Sequence, residues 1–155
     1  MDRHAYFRIR SNPEVNKYID RPVPKYFKEV VTHISILNNL IKNDIAVIWA
    51  IDITNENDFI GTIGLRNFNK NRTKAEIGFE LHPTFQRKGF MYQALNLVIE
   101  YGFNTLKLKS IEAIIHHENL DSQNLVLKSG FKENKIIKTS EQLNCYVLKK
   151  NASLL

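Results

Sequence analysis

The chain has 155 residues, 43% of them hydrophobic and 25% charged, with a formal net charge of +6 and one cysteine. That is the size of one domain with enough apolar residues for a core, and one cysteine excludes an intrachain disulfide framework. The longest apolar run, residues 45–51, is far below the ~20 residues of a membrane span, and the charged start Asp2-Arg3-His4 does not read as a signal peptide, so a cytoplasmic protein is expected.

Residues 6–42 read as helical. A loop interrupts them from Ser11-Asn12-Pro13 to Arg21-Pro22-Val23-Pro24, where the prolines keep the backbone irregular. In the second helical piece Phe27, Val30, Val31, Ile34, Leu37 and Ile41 fall close to a 3.6-residue period. Residues 46–53 are apolar and β-branched, 54–58 have turn chemistry, 59–68 form the next strand, 69–72 a polar turn and 75–81 a third strand. These three strands are expected to form an antiparallel meander that Pro83 ends.

After Gly89 the period changes. Phe90, Ala94, Leu97, Val98 and Tyr101 mark one face of a helix reaching about Asn104. Residues 110–115 read as a short strand and 119–129 as a helix stopped by Gly130 with Phe131 beyond it. Two strands, about 131–138 and 143–149, finish the chain. The order predicts an α/β (α+β) fold, with one mixed, mainly antiparallel sheet and helices on both faces.

The segment Gln86-Arg87-Lys88-Gly89-Phe90-Met91 lies between a strand and a helix. Cations at a helix N-terminus oppose the macrodipole unless an anion lies between them. Gly89 lets the backbone approach a ligand, and free N–H groups at the helix start can cradle phosphate oxygens. The pattern therefore reads as a pyrophosphate site, or equally as a solvated strand-to-helix turn. Asn119 and Ser122 by themselves read as a helix cap and a first-turn serine. Glu80 and then Glu76 are candidate general bases; alternation puts both on one strand face, opposite Ile77, Phe79 and Leu81. The competing reading is a solvent-facing glutamate. His116-His117-Glu118 suggests no metal site, because adjacent strand residues point to opposite faces and no third ligand stands at the right spacing. Cys145 reads as a core residue, and Trp49, Tyr92 and Phe103 as core or partly buried aromatics.

Taken together, the run from Ala75-Glu76-Ile77-Gly78-Phe79 through Glu80-Leu81-His82-Pro83, then Gln86 to Met91, then Asn119-x-x-Ser122 with Lys128-x-Gly130-Phe131 resembles the GNAT acetyltransferase superfamily. It is most similar to the RimJ/RimL-like branch of ribosomal-protein N-terminal acetyltransferases, which Arg10-Ser11-Asn12-Pro13-Glu14-Val15 also resembles. The resemblance spans roughly residues 8–148. It implies a GNAT fold over a single domain, residues 1–155, without the family's usual first strand, and a homodimer is compatible with that. It implies transfer of an acetyl group from acetyl-CoA to a primary amine, either a protein N-terminus or a small molecule, by direct attack in a ternary complex.

The resemblance also assigns roles. Gln86, Arg87, Lys88, Gly89, Phe90 and Met91 would hold the coenzyme A pyrophosphate, with Lys128 nearby. Leu81 and His82 would pair through their backbone with the pantetheine arm, and Asn119 and Asn124 would contact it from the other side. Ser122 would protonate the leaving thiolate, with Asn119 as a further catalytic residue beside Glu80, the candidate base read from the strand alternation. Met91 departs from the usual Gly or Ala, and Val126 stands where many members carry a tyrosine acid, which moves the acid's role to Ser122. No metal is expected. An N-terminal amine, with a pKa of about 7.7–8.0 against about 10.4 for lysine, needs little help from a base. Two other functions compete: a CoA-binding protein without turnover, and a basic nucleic-acid-binding module. The pI of about 9.4 suits a polyanion, but the basic residues form no run of five, so neither nucleic acid nor a membrane is an expected partner.

Overall fold

The computed structural model describes residues 2–53, 58–136 and 140–150. Helix α1 (Arg3–Ser11) is capped by Asp2, whose carboxylate accepts the N–H groups of His4 and Ala5 at 2.8 and 3.3 Å. Those two bonds hold its carboxyl below the usual carboxylate range. Asn12 caps the short α2 (Pro13–Asn16), with Pro13 at the first helical position, where its missing N–H is not needed. In α3 (Phe27–Lys42) Glu29 reaches back to the N–H groups of Lys25 and Tyr26. Val30 is the buried residue of α3, with Ile34 and Leu37 packed beside it; Ile41 lies outside that stripe, exposed.

Strands β1 (Val47–Ile53), β2 (Asp58–Arg66) and β3 (Lys74–Leu81) form the expected meander; of the turn read at 54–58, residues 54–57 lie outside the described residues and Asp58 opens β2. The chain continues through α4 (Phe90–Asn104), β4 (Ser110–His116), α5 (Leu120–Lys128), β5 (Lys132–Glu133) and β6 (Leu143–Lys149). The sheet runs β1-β2-β3-β4-β6-β5, and only β3 and β4 pair in parallel. Gly130 takes a left-handed φ of +91° and the N–H of buried Phe131 returns to the carbonyl of Val126, the helix stop read from the sequence. The strand expected over 131–138 shrinks to two exposed residues at the sheet edge, since Lys132 and Glu133 have nothing to bury; residues 137–138 lie outside the described part.

Two cores flank the sheet. Helices α4 and α5 cover one face, with Leu95, Val98 and Val126 against Ile63, Leu65, Ile77 and Ile111. On the other face α1 and α3 bury Tyr6, Ile9 and Val30 against Phe59. The buried stripe of α4 is Met91, Leu95, Val98 and Gly102. The stripe read from the sequence is displaced from it: Leu97 is 67% exposed and Tyr101 is exposed as well. Both stripes are apolar, so periodicity alone could not choose between them.

Parallel pairing between β3 and β4 lasts three residue pairs, Lys74 with Ser110, Ala75 with Ile111 and Glu76 with Glu112. Beyond them β3 stays paired to β2 as far as Leu81, while β4 stays paired to β6 as far as His116. The sheet therefore forks. Replacing fully buried Leu95 by Ala should cost about 2–5 kcal/mol of unfolding free energy in urea titration; a loss under about 1 kcal/mol would show that α4 is not packed as described.

Candidate active site

A cleft of about 600 Å³ opens at the fork, lined by β3, the turn into α4, α5 and the α2 region. Its first wall is the turn before α4. Arg87 (φ +60°) and Gly89 (φ +86°) both take left-handed backbone there. A Cβ at Gly89 would meet only Gln93 Nε2, at 4.0 Å, so the demand at this position is conformational rather than steric. No side chain caps α4 and no acid stands in its first turn, which leaves the N–H groups of a helix start facing outward with their partial positive charge. Phe90 and Met91 line the cleft, and Gln86 Nε2 donates to the Leu81 carbonyl at 3.0 Å, tying turn to strand. Arg87 also lines it and reaches Asp121 at 3.0 Å, an exposed ion pair worth about 0–1 kcal/mol. Lys88 is not part of the lining; its ammonium lies 5.7 Å over the Phe85 ring.

The second wall is the free end of β3. The His82 N–H donates to the Ile60 carbonyl at 2.8 Å. Antiparallel ladders alternate, so Glu80 and Gly78 direct their backbone groups toward β2 as well, and Phe79 and Leu81 direct theirs toward the fork. Leu81 thus directs its N–H toward the fork, its carbonyl accepting from Gln86 Nε2, whereas His82 offers no free backbone group there. Its N–H serves Ile60, its carbonyl accepts from Phe85, and its ring Nδ1 accepts the Thr84 N–H. Its ring faces a separate pocket of about 110 Å³.

The third wall is α5. Asn119 Oδ1 accepts the Ser122 N–H at 3.1 Å and caps the helix. Both residues line the cleft, and the Ser122 hydroxyl has no partner among the described residues. Asn124 and Lys128 line it too, with the Lys128 ammonium 4.5 Å from the Tyr92 ring. Gln123 anchors this helix start: its Nε2 donates to the carbonyls of His116 and His117, and its Oε1 accepts from the Tyr146 hydroxyl.

Glu80, the candidate base, lines the cleft, and the solvent-facing reading of it fails. It is 8% exposed, neither solvent-facing nor free. One carboxylate oxygen lies 2.6 Å from the Arg21 guanidinium and the other accepts from Thr62 at 3.1 Å. Both of its oxygens are thus already engaged by side chains. Glu76 shares that strand face but is bound by Arg66 and Asn67, away from the cleft. Burial, then the charge of Glu80, pushes the Tyr6 hydroxyl well above its ordinary range. Burial and Arg21 hold Arg10 below its ordinary value. The Cys145 thiol is buried and pushed up by that burial, as befits a core residue.

His116 and His117 stack at 4.7 Å, because the strand ends at His116 and strict alternation no longer applies. Among the described residues no three side chains of metal-binding type converge. Sequence reasoning passed over Lys17 and Tyr18, which line the cleft, and took Tyr92, also in the lining, for a core or partly buried aromatic. The proline-flanked loop has no periodicity that would reveal the first two.

The model of a family described as an acetyltransferase (GNAT) domain matches residues 1–132. The chain belongs to the GNAT acetyltransferase family. The uncharacterized N-acetyltransferase YoaA of Bacillus subtilis is 30% identical over 137 residues, 88% of this chain and 77% of the relative. A spermidine N-acetyltransferase from Vibrio cholerae, solved with CoA and spermine, superposes with a TM-score of 0.80 at 21% identity, covering 96% of this chain and 89% of that one. A ribosomal-protein-S5-alanine acetyltransferase from Vibrio fischeri gives 0.76 at 19% identity, covering 98% and 91%. The six-stranded sheet with its flanking helices is the GNAT fold, and this GNAT protein is an acyl-CoA-dependent N-acetyltransferase. No described helix is long and apolar enough to cross a membrane.

Burial, then the nearby Arg10 charge, depresses the pKa of His33 from its ordinary 6.5. The unfolded chain therefore binds the proton first as pH falls, and stability should drop below about pH 6.5. Thermal midpoints between pH 7.5 and 5 should fall less steeply for His33→Gln than for the wild type; parallel curves would remove His33 as a cause.

Proposed function

We propose that this enzyme moves the acetyl group of acetyl-CoA to a primary amine by direct attack within the fork, in a ternary complex. The observation that carries the reading is the fork itself, with the uncapped start of α4 at one wall and an unpartnered serine hydroxyl at another. Helix N–H groups, Arg87 and the turn around Gly89 suit a diphosphate. The backbone edge at Phe79 and Leu81 suits the amide-bearing arm, and one of its N–H groups can meet the developing oxyanion. Asn124 and Lys128 stand on the opposite wall.

The amine nitrogen attacks the thioester carbonyl carbon. As the N–C bond forms and the C–S bond breaks, Ser122 gives its proton to the leaving thiolate; the amine's surplus proton passes to water, and water returns a proton to the Ser122 oxygen, so the serine is regenerated. The engagement of Glu80 by Arg21 and Thr62 favours an acceptor that has an appreciable neutral fraction near pH 7 without a dedicated carboxylate, as an N-terminal amine has and a lysine or polyamine amine does not. That chemistry is the reason to place the chain in the RimJ/RimL-like branch, ahead of a polyamine acceptor. A coupled assay of thiol release from acetyl-CoA, run with peptide N-termini, lysine and spermidine, tests it. Release with the peptides is expected, and tight CoA binding with no release for any amine would favour a CoA-binding protein without turnover.

Gly89→Glu should weaken CoA binding by at least ~100-fold in calorimetry, because it adds negative charge where phosphates would lie. The fold should persist at a cost of about 1–3 kcal/mol for a side chain at this left-handed φ, since the added Cβ itself meets only Gln93 Nε2 at 4.0 Å, and Gly89→Ala, with the same strain and no charge, should bind CoA more tightly than Gly89→Glu. Normal CoA affinity in that variant would end the phosphate assignment. Ser122→Ala should lower kcat by roughly 10–100-fold with CoA affinity little changed; an unaltered kcat would reduce Ser122 to a helix residue.

A further inference from the structure

Residues 14–21 form a strap that touches both arms of the fork. On the β3 arm, Arg21 lies 2.6 Å from Glu80. On the β4 arm, the Tyr18 ring packs against His116 with centroids 5.4 Å apart. Between these points Glu14, Val15, Lys17, Tyr18 and Ile19 line the cleft. The strap is also tied internally. Asn16 Nδ2 donates to the carbonyls of Arg10 and Asn12 at 2.7 and 2.8 Å, and Asn16 Oδ1 accepts from Arg21 Nε at 2.7 Å. A continuous polar chain thus runs from the end of α1 through Asn16 and Arg21 to Glu80, and from Glu80 to Thr62 on β2.

We propose that the Arg21–Glu80 ion pair is a latch that holds this strap across the fork, making Arg21 and Tyr18 positioning residues for the acceptor amine. This rests on the fork being the acetyl-transfer site. The starts of α4 and α5 make none of these contacts, and on β3 the latch holds the Glu80 side chain while Phe79 and Leu81 direct their backbone toward the fork, so releasing the latch should disturb the acceptor side and leave the cofactor side in place. Glu80 thereby gains a role that needs no proton transfer: its charge is matched by the strap's arginine.

The test uses the full chain, with spermidine and a peptide bearing a free N-terminus as acceptors. Arg21→Gln should raise the amine KM by roughly tenfold while acetyl-CoA affinity in calorimetry stays within about twofold. Amide hydrogen exchange should accelerate in residues 14–21, and Arg21→Lys should recover most of both effects. Tyr18→Ala leaves no buried charge behind and should shift KM and exchange in the same direction, which covers the case in which Arg21→Gln does not fold. Unchanged KM and exchange in either folded variant would overturn the latch, as would a fall in CoA affinity in step with the rise in KM. Should the wild type acetylate neither acceptor, the transferase reading fails on its own, and the exchange data still decide whether the latch exists.

Discussion

Everything in this molecule's active face depends on the brevity of one parallel contact. Strands β3 and β4 share three residue pairs and then part, each kept straight by a different antiparallel neighbour. A β-bulge at Ile60, where the β1–β2 register shifts, lies beside the free end of β3, and bulges increase local twist. The wedge that results exposes backbone groups in mid-sheet, which globular proteins otherwise avoid unless a ligand meets them. The turn that follows β3 brings a helix start to the same wedge, so donors from a strand and donors from a helix converge without any loop having to fold over them.

The opposite side of the fork is built on charge. Tyr6, Arg10, Arg21, Thr62 and Glu80 gather from two strands, one helix and an irregular segment. Moving each ion out of water costs several kcal/mol, and their mutual attraction offsets that only when the geometry is good. Such a cluster adds little net stability. It does define where an otherwise irregular segment must lie, something apolar packing by small contacts does less sharply.

The elements whose geometry is encoded in residue type were legible. Gly89 and Gly130 stand at left-handed positions, Asn119 caps α5, and Pro83 closes β3. What was not legible depends on partners distant in sequence. Glu80 was read as a candidate general base or a solvent-facing glutamate, because nothing near it in the chain announces Arg21, 59 positions earlier. His82 was read as part of the cofactor edge, since the ladder phase that turns its N–H toward Ile60 is set by β2. In α4 two apolar stripes compete, and the sheet beneath selects Leu95 over Leu97. Tyr18 lies where no period exists to be read.

Gln123 has a mechanical consequence. One amide grips the last carbonyls of β4 from the first turn of α5, and the buried Tyr146 on β6 steadies that amide. The tip of β4 and the start of α5 thus travel as one stiff jaw, with the β2–β3 hairpin as the other. Among the described residues the last rung that the two jaws share is Glu76 opposite Glu112. The Ser122 hydroxyl, one residue from the grip, is thereby tied to the tip of β4 as well as to its own short helix.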